Sequence, residues 1–156
     1  MTASAGRYTR LILASLGLAW AAGDATSEPS GGPGAPAGSA VIIVNAGWPA
    51  GTISKADIEG IFLGKKTRLD DLSVVFVVQK EGDVHEAFLR NYLGKTAMQF
   101  RNYWRQMVFT GKGGAPKAFE SEADLARYVA GTAGAIGYVS AGAAATLDKV
   151  KKPAVQ

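Results

Sequence analysis

From Ala40 onward, short unbroken apolar runs alternate with stretches in which apolar residues recur every three or four positions. The first run, Ala40 to Val44, is β-branched and uncharged, as in a strand buried on both faces. Asn45-Ala46-Gly47-Trp48-Pro49 turns the chain. Ser54 and Asp57 have capping-box spacing ahead of a helix with the stripe Ile58, Ile61 and Phe62, and Gly64 stops it. Lys65 to Leu72 reads as a polar loop. Val74 to Val78 is a second apolar run, long enough for a core strand and too short for a helix. A tight turn at Glu81-Gly82 follows. Asp83 and Glu86 then form a second capping box, opening a helix with the stripe Ala87, Phe88, Leu89, Tyr92 and Leu93.

Thr96 and Gln99 open a third helix, Ala97 to about Phe109. Phe100, Tyr103, Trp104, Met107 and Val108 recur along it at helical spacing, an aromatic stripe that reads as core. Thr110 to Pro116 is glycine-rich. Ser121 and Asp124 cap a fourth helix with Leu125, Tyr128 and Val129 facing inward, which ends across Gly131 to Gly134. Ala135 to Val139 reads as the last strand. Ser140 to Gln156 is a small-residue segment, read as a short helix with a lysine-rich end. Strands alternating with helices make the fold class α/β. There is no internal repeat and no second hydrophobic unit.

The stretch Val74 to Gly94 is a strand that feeds a turn and then a helix start. That arrangement builds anion sites, because free backbone N–H groups and the helix dipole converge on one spot. The same pattern also serves as a plain strand–helix unit of an α/β core, since most capped helices bind nothing.

Ahead of the periodic region the pattern changes. Arg7 and Arg10 precede the apolar run Leu11 to Ala22, with small residues at its end. This is the layout of a secretory signal with an A-x-A cleavage site, and the run is shorter than the ~20 residues a membrane-spanning helix needs. Residues 23–38 are rich in Gly, Pro, Ser and Ala without periodicity, which predicts a flexible linker. The expected organisation is a signal peptide over 1–22, a linker over 23–38, one domain over 39–143 and a basic tail over 144–156. A periplasmic or secreted location follows from the signal.

Composition narrows the function classes. Of 156 residues, 47% are hydrophobic and 19% charged, enough apolar content for a packed core. The net charge of +4 is scattered. Lys65, Lys66 and Arg68 form one small cluster, and Lys149, Lys151 and Lys152 another. Neither has interleaved aromatics or a nucleic-acid motif around it, so both read as solvated faces and nucleic-acid binding is not expected. The chain has no cysteine. Thiol catalysis, disulfides, cysteine-ligated metals and a lipid-bearing cysteine are therefore excluded.

No catalytic constellation stands out. His85 is the only histidine. Asp83 and Glu86 are beside it, but neighbouring helical positions point in different directions, so no metal site is expected. Ser54, Ser73, Ser121 and Ser140 lack the strained elbow of a nucleophile. Thr110 to Gly114 (TGKGG) lacks the order of a phosphate loop and follows a helix rather than a strand. Lys112 within it could still meet an anion. Neither an enzyme nor a cofactor is expected.

Three segments together carry a resemblance: Ile58 to Lys65 (IEGIFLGK), Gly82 to Leu93, and Gly134 to Val139 (GAIGYV). In sequence and spacing they resemble the phosphate-type substrate-binding proteins of ABC transporters, over about Val41 to Ala143. The resemblance implies a type II periplasmic-binding-protein-like fold with a central mixed sheet flanked by helices. The chain is long enough for one of that fold's two lobes. It would match the second lobe, bounded by the crossing strands Val41 to Val44 and Ala135 to Val139.

The family's phosphate-binding motif, R-x-x-G-S-G-T, falls on Gln79, Gly82, Asp83, Val84 and His85. Gly82 keeps the turn glycine. Gln79 stands where the family has a cationic clamp, and Asp83 puts a carboxylate at an anion position. Two like charges ~4 Å apart repel by about 1 kcal/mol in water and more in a desolvated cleft. Val84 adds a side chain where the family has glycine. His85 could offset part of this, since imidazole titrates near neutrality.

Two function readings follow. The first is an exported solute-binding domain that takes phosphate or another small anion at Gln79 to His85, helped by Lys112 and Asn45, in connection with an ABC-transporter permease. The second is a ligand-free interaction module that docks another exported or membrane protein.

Overall fold

A computed structural model describes residues 39–156. The signal and linker expected over 1–38 lie outside the described residues. Five strands form a mixed sheet in the order β6-β5-β7-β1-β8. β1 is Ala40–Asn45, β5 Val75–Gln79, β6 Lys117–Phe119, β7 Ala135–Ser140 and β8 Val150–Lys151. β5 runs parallel to β6 and β7, while β1 runs antiparallel to β7 and β8. The first long strand and the last are therefore neighbours, with Val41 opposite Val139 and Ile43 opposite Gly137.

Alternation along the strands divides the core in two. Ile42 and Val44 of β1, Val78 of β5, and Ile136 and Tyr138 of β7 pack on one face. They meet helices α1 (Lys55–Phe62), α2 (Asp83–Phe88) and α3 (Ala97–Phe109) through Ile58, Phe62, Phe88, Phe100 and Trp104. Ile43, Val77 and Val139 point the other way, against Leu125 and Val129 of α4 (Glu122–Gly131) and Ala144 of α5 (Ala141–Ala145). The sheet is thus buried on both faces, as its uninterrupted apolar runs require. Among the described residues no helix is long and apolar enough to cross a membrane.

The helix starts follow the local chemistry. Ser54, Thr96, Ser121 and Ser140 each accept a backbone N–H three residues on. Thr96 and Gln99 complete a reciprocal capping box. Asp57 reaches back to the Ser54 hydroxyl instead of the backbone.

α2 departs from expectation. Its N-cap is Gly82, at φ 118°, and no side chain caps it. The helix starts one residue earlier than the Asp83 capping box predicts, which places Asp83 in the first turn as an exposed residue. α2 then widens into a π-helical turn over Leu89–Leu93 and stops at Gly94, in the left-handed conformation.

Three other segments hold more structure than the pattern indicated. The loop at Lys65 to Leu72 contains a small hairpin, β3 (Arg68–Leu69) with β4 (Leu72–Ser73). Val139 does not end the last strand. β8 follows, and β9 (Ala154–Val155) pairs in parallel with β2 (Thr52–Ile53). Pro153 between them is buried. Val108, read as part of the buried stripe of α3, is 46% exposed, because only Phe100 and Trp104 of that helix are fully seated on the sheet.

Candidate functional site

At the carboxyl end of β5 the chain leaves the sheet through Lys80, Glu81 and Gly82. An open cleft of about 680 Å³ lies there, between this turn, the start of α2, one side of α3 and the loop entering β6. Its apolar wall includes Val78, Phe100, Trp104, Val108, Pro116 and Ala118. Its polar groups are Gln79, Lys80, Glu81, His85, Glu86, Arg101 and Arg105.

Among the described residues, Gln79 and His85 are the two buried polar or charged side chains, at 7% and 5% exposure. Tyr138 of β7 joins them. Its hydroxyl accepts the backbone N–H of Gln79 at 3.0 Å and meets His85 Nδ1. Among the described residues that hydroxyl has no other acceptor, so its own hydrogen goes to Nδ1. His85 is therefore the neutral tautomer with its proton on Nε2.

Burial holds the His85 pKa below the usual imidazole value; Arg101 pushes it further down and Glu86 pulls it up. Burial likewise raises the Tyr138 phenol, partly offset by the Gln79 N–H. The Tyr138 ring is stacked on Phe88 with centroids 3.9 Å apart, which fixes the hydroxyl. The side-chain amide of Gln79 donates to Glu122 Oε1 at 3.3 Å and to the Tyr138 carbonyl at 3.2 Å. Glu122 also accepts from the Ser140 backbone and hydroxyl, at 2.8 Å each.

The residues proposed from sequence separate. Gln79, Gly82 and His85 line the cleft together. Asp83 and Val84 do not line it; Asp83 is exposed, and Val84 is packed against the core. Lys112 is exposed in the loop after α3 and also lies off the lining. Asn45 is committed elsewhere: its amide donates to the carbonyls of Val129 and Ala130 at 2.9 Å each, tying down the end of α4. No group of three metal-ligating side chains occurs among the described residues.

Sequence reasoning missed Arg101 and Arg105, both exposed on α3 and both lining the cleft. A signal was available. They are four residues apart on a helix that has no acidic residue. Like charges at that spacing repel by a few tenths of a kcal/mol, roughly 0.2–0.5. Among the described residues no ion pair relieves them, whereas Lys80 is held by Glu120 at 2.8 Å.

No protein-family model matches the chain, and no curated protein matches it. Solved structures do. A candidate phosphate ABC transporter substrate-binding protein from Clostridium perfringens, with phosphate bound, aligns at a TM-score of 0.57 and 18% identity. A candidate phosphate-binding protein from Planctomyces limnophilus aligns at 0.53 and 12%. The chain has the fold of these substrate-binding proteins. The alignments cover 74% and 75% of this chain but only 44% and 41% of those chains. The mixed sheet with helices on both faces is thus shared, over less than half the length of either structure.

Proposed function

We propose that this chain is an exported binding domain of the substrate-binding-protein kind that takes a small anion in the cleft beyond β5. One observation carries the reading: the cleft opens where the strand ends, and two arginines with no carboxylate partner among the described residues stand on its wall. Ligands of open α/β sheets bind outside the carboxyl ends of the strands. The structural likeness to a phosphate-bound protein supports an anion as the ligand. Export rests on the signal-like residues 1–22, and with it a periplasmic or secreted setting and an ABC-transporter permease as the downstream partner.

The cationic role falls to Arg101 and Arg105. Gln79 has its amide engaged by Glu122, and His85 contributes a neutral N–H donor. The test is thermal unfolding of the protein with phosphate, sulfate, molybdate, a phosphomonoester such as phenyl phosphate, and short- and medium-chain carboxylates. A ligand at a hundredfold excess over its dissociation constant adds about 2.7 kcal/mol of stability. A raised melting temperature with any of these anions is the expected result; no shift with all of them would overturn the reading.

Docking to another envelope protein is the second reading. Its support is the exposure of Met98 (67%) and Phe109 (91%) on α3, large side chains left in water. Crosslinking that recovers one defined partner, lost on Phe109→Ser, would favour it.

A further inference from the structure

We propose, resting on the anion-binding reading of this cleft, that its ligand is an organic anion with an apolar body, such as an aryl or alkyl carboxylate or phosphomonoester, rather than a bare phosphate ion. Size is the first argument. A phosphate ion fills roughly the space of two or three waters, about 60–90 Å³. The cleft holds about 680 Å³. That lies within the ~300–1,000 Å³ of sites for larger organic ligands.

The wall is the second argument. Phe100 and Trp104 line the cleft beside Val108, Pro116 and Ala118, five apolar residues drawn from α3 and the strand β6 with its approach. A fully hydrated inorganic ion gains nothing from such a surface. An apolar body gains ~25 cal/mol for each Å² it removes from water.

Charge placement is the third argument. The floor beneath the turn carries neutral groups, Gln79 and His85, each already bonded within the fold. The guanidinium groups come from the exposed side of α3, at the edge of the apolar wall. A ligand that satisfies both surfaces has its charged head at Arg101 and Arg105 and its body over Phe100 and Trp104. Guanidinium forks suit carboxylate and phosphate heads alike through paired N–H donors. Glu81 and Glu86, which also line the cleft, disfavour a second anionic end.

Isothermal titration of the full chain tests this with four probes: inorganic phosphate, phenyl phosphate, octanoate and uncharged phenol. Phenyl phosphate or octanoate should bind at least tenfold more tightly than phosphate, and phenol at least tenfold more weakly than either. Arg101→Gln and Arg105→Gln should each weaken the organic anions about tenfold, and thermal unfolding should confirm that both variants stay folded. Trp104→Leu should weaken phenyl phosphate while leaving phosphate unchanged. Phosphate binding as tightly as phenyl phosphate would overturn the organic-ligand inference and leave the anion site standing. Failure of every anion to bind would overturn both.

Discussion

The Tyr138 hydroxyl lies 2.5 Å from His85 Nδ1, joining the core of β7 to the first turns of α2. The contact couples protonation of a buried imidazole to folding. His85 titrates lower in the folded chain than the ~6.5 of an unfolded one. The unfolded chain therefore takes up the proton first as pH falls. The stability from neutral His85 is complete above about pH 6.5 and is lost as pH drops toward the folded value. Glu86 and Arg101, which face the same ring, act in opposite directions and leave burial dominant. Melting temperature should fall between pH 7 and pH 5. His85→Asn, which keeps an acceptor for Tyr138, should flatten that slope at some cost in stability. An unchanged slope in the variant would assign it to other groups.

Tyr138→Phe should destabilise the protein by about 1–3 kcal/mol, since it strands the Gln79 N–H and the His85 Nδ1 in a buried setting. The Phe88 stack is retained, so the loss is polar rather than one of packing. Chemical denaturation should show a lower midpoint with an unchanged m-value. A midpoint equal to that of the parent would mean that water replaces the hydroxyl.

Gln79→Arg places a guanidinium where phosphate-type motifs carry one. It should not create a phosphate site. Glu122 accepts from Gln79 at 3.3 Å, and its two oxygens also take the Ser140 donors. The new cation would pair with that carboxylate and draw it from Ser140. Titration with phosphate should show affinity within about threefold of the parent, because the added charge is neutralised locally. The double variant Gln79→Arg with Glu122→Gln should bind phosphate more tightly than either single variant.

Gly134→Ala should cost about 3 kcal/mol or more. Gly134 is at φ +71°, and a Cβ there overlaps the carbonyl oxygen of Ser73, which is backbone and cannot rotate away. Its own carbonyl also accepts the N–H of Val75 at the start of β5. Gly64→Ala should cost less: its Cβ would meet the Trp104 ring at 2.8 Å, and a ring edge can shift. Soluble yield and melting temperature of the two variants should rank in that order.

Those glycines bear on how the chain can be read. Gly64, Gly134 and Gly137 all belong to the segments that resemble substrate-binding proteins, and all three act in packing. A Cβ at Gly137 would be 2.7 Å from Leu125. Of the segments that mark the resemblance, Ile58 to Lys65 and Gly134 to Val139 hold elements together and do not line the cleft, whereas Gly82 to Leu93 contributes Gly82, His85 and Glu86 to it. They predict the fold, which rests on packing, and leave the identity of the ligand open.

The sequence by itself determined the elements. Caps at Ser54, Thr96 and Ser121, stripes on α1 and α4, and the apolar runs of β1, β5 and β7 are local patterns, set by residues within a few positions of each other. It misplaced the start of α2, where the choice between Gly82 and Asp83 as cap depends on the turn leaving β5. It also missed β8 and β9, whose short strands form only because β1 and β2 are already there to pair with them.

The tertiary structure alone decided the site. Gln79 and Tyr138 are 59 positions apart, and His85 and Tyr138 are 53 apart; only sheet order brings them together. The same packing turned one side of α3 toward the cleft, making Arg101 and Arg105 wall residues, and sent Asn45 to the end of α4. Side-chain periodicity tells which residues share a face of one element. It carries no information about which face of another element lies opposite, because that depends on contacts between residues distant in the chain.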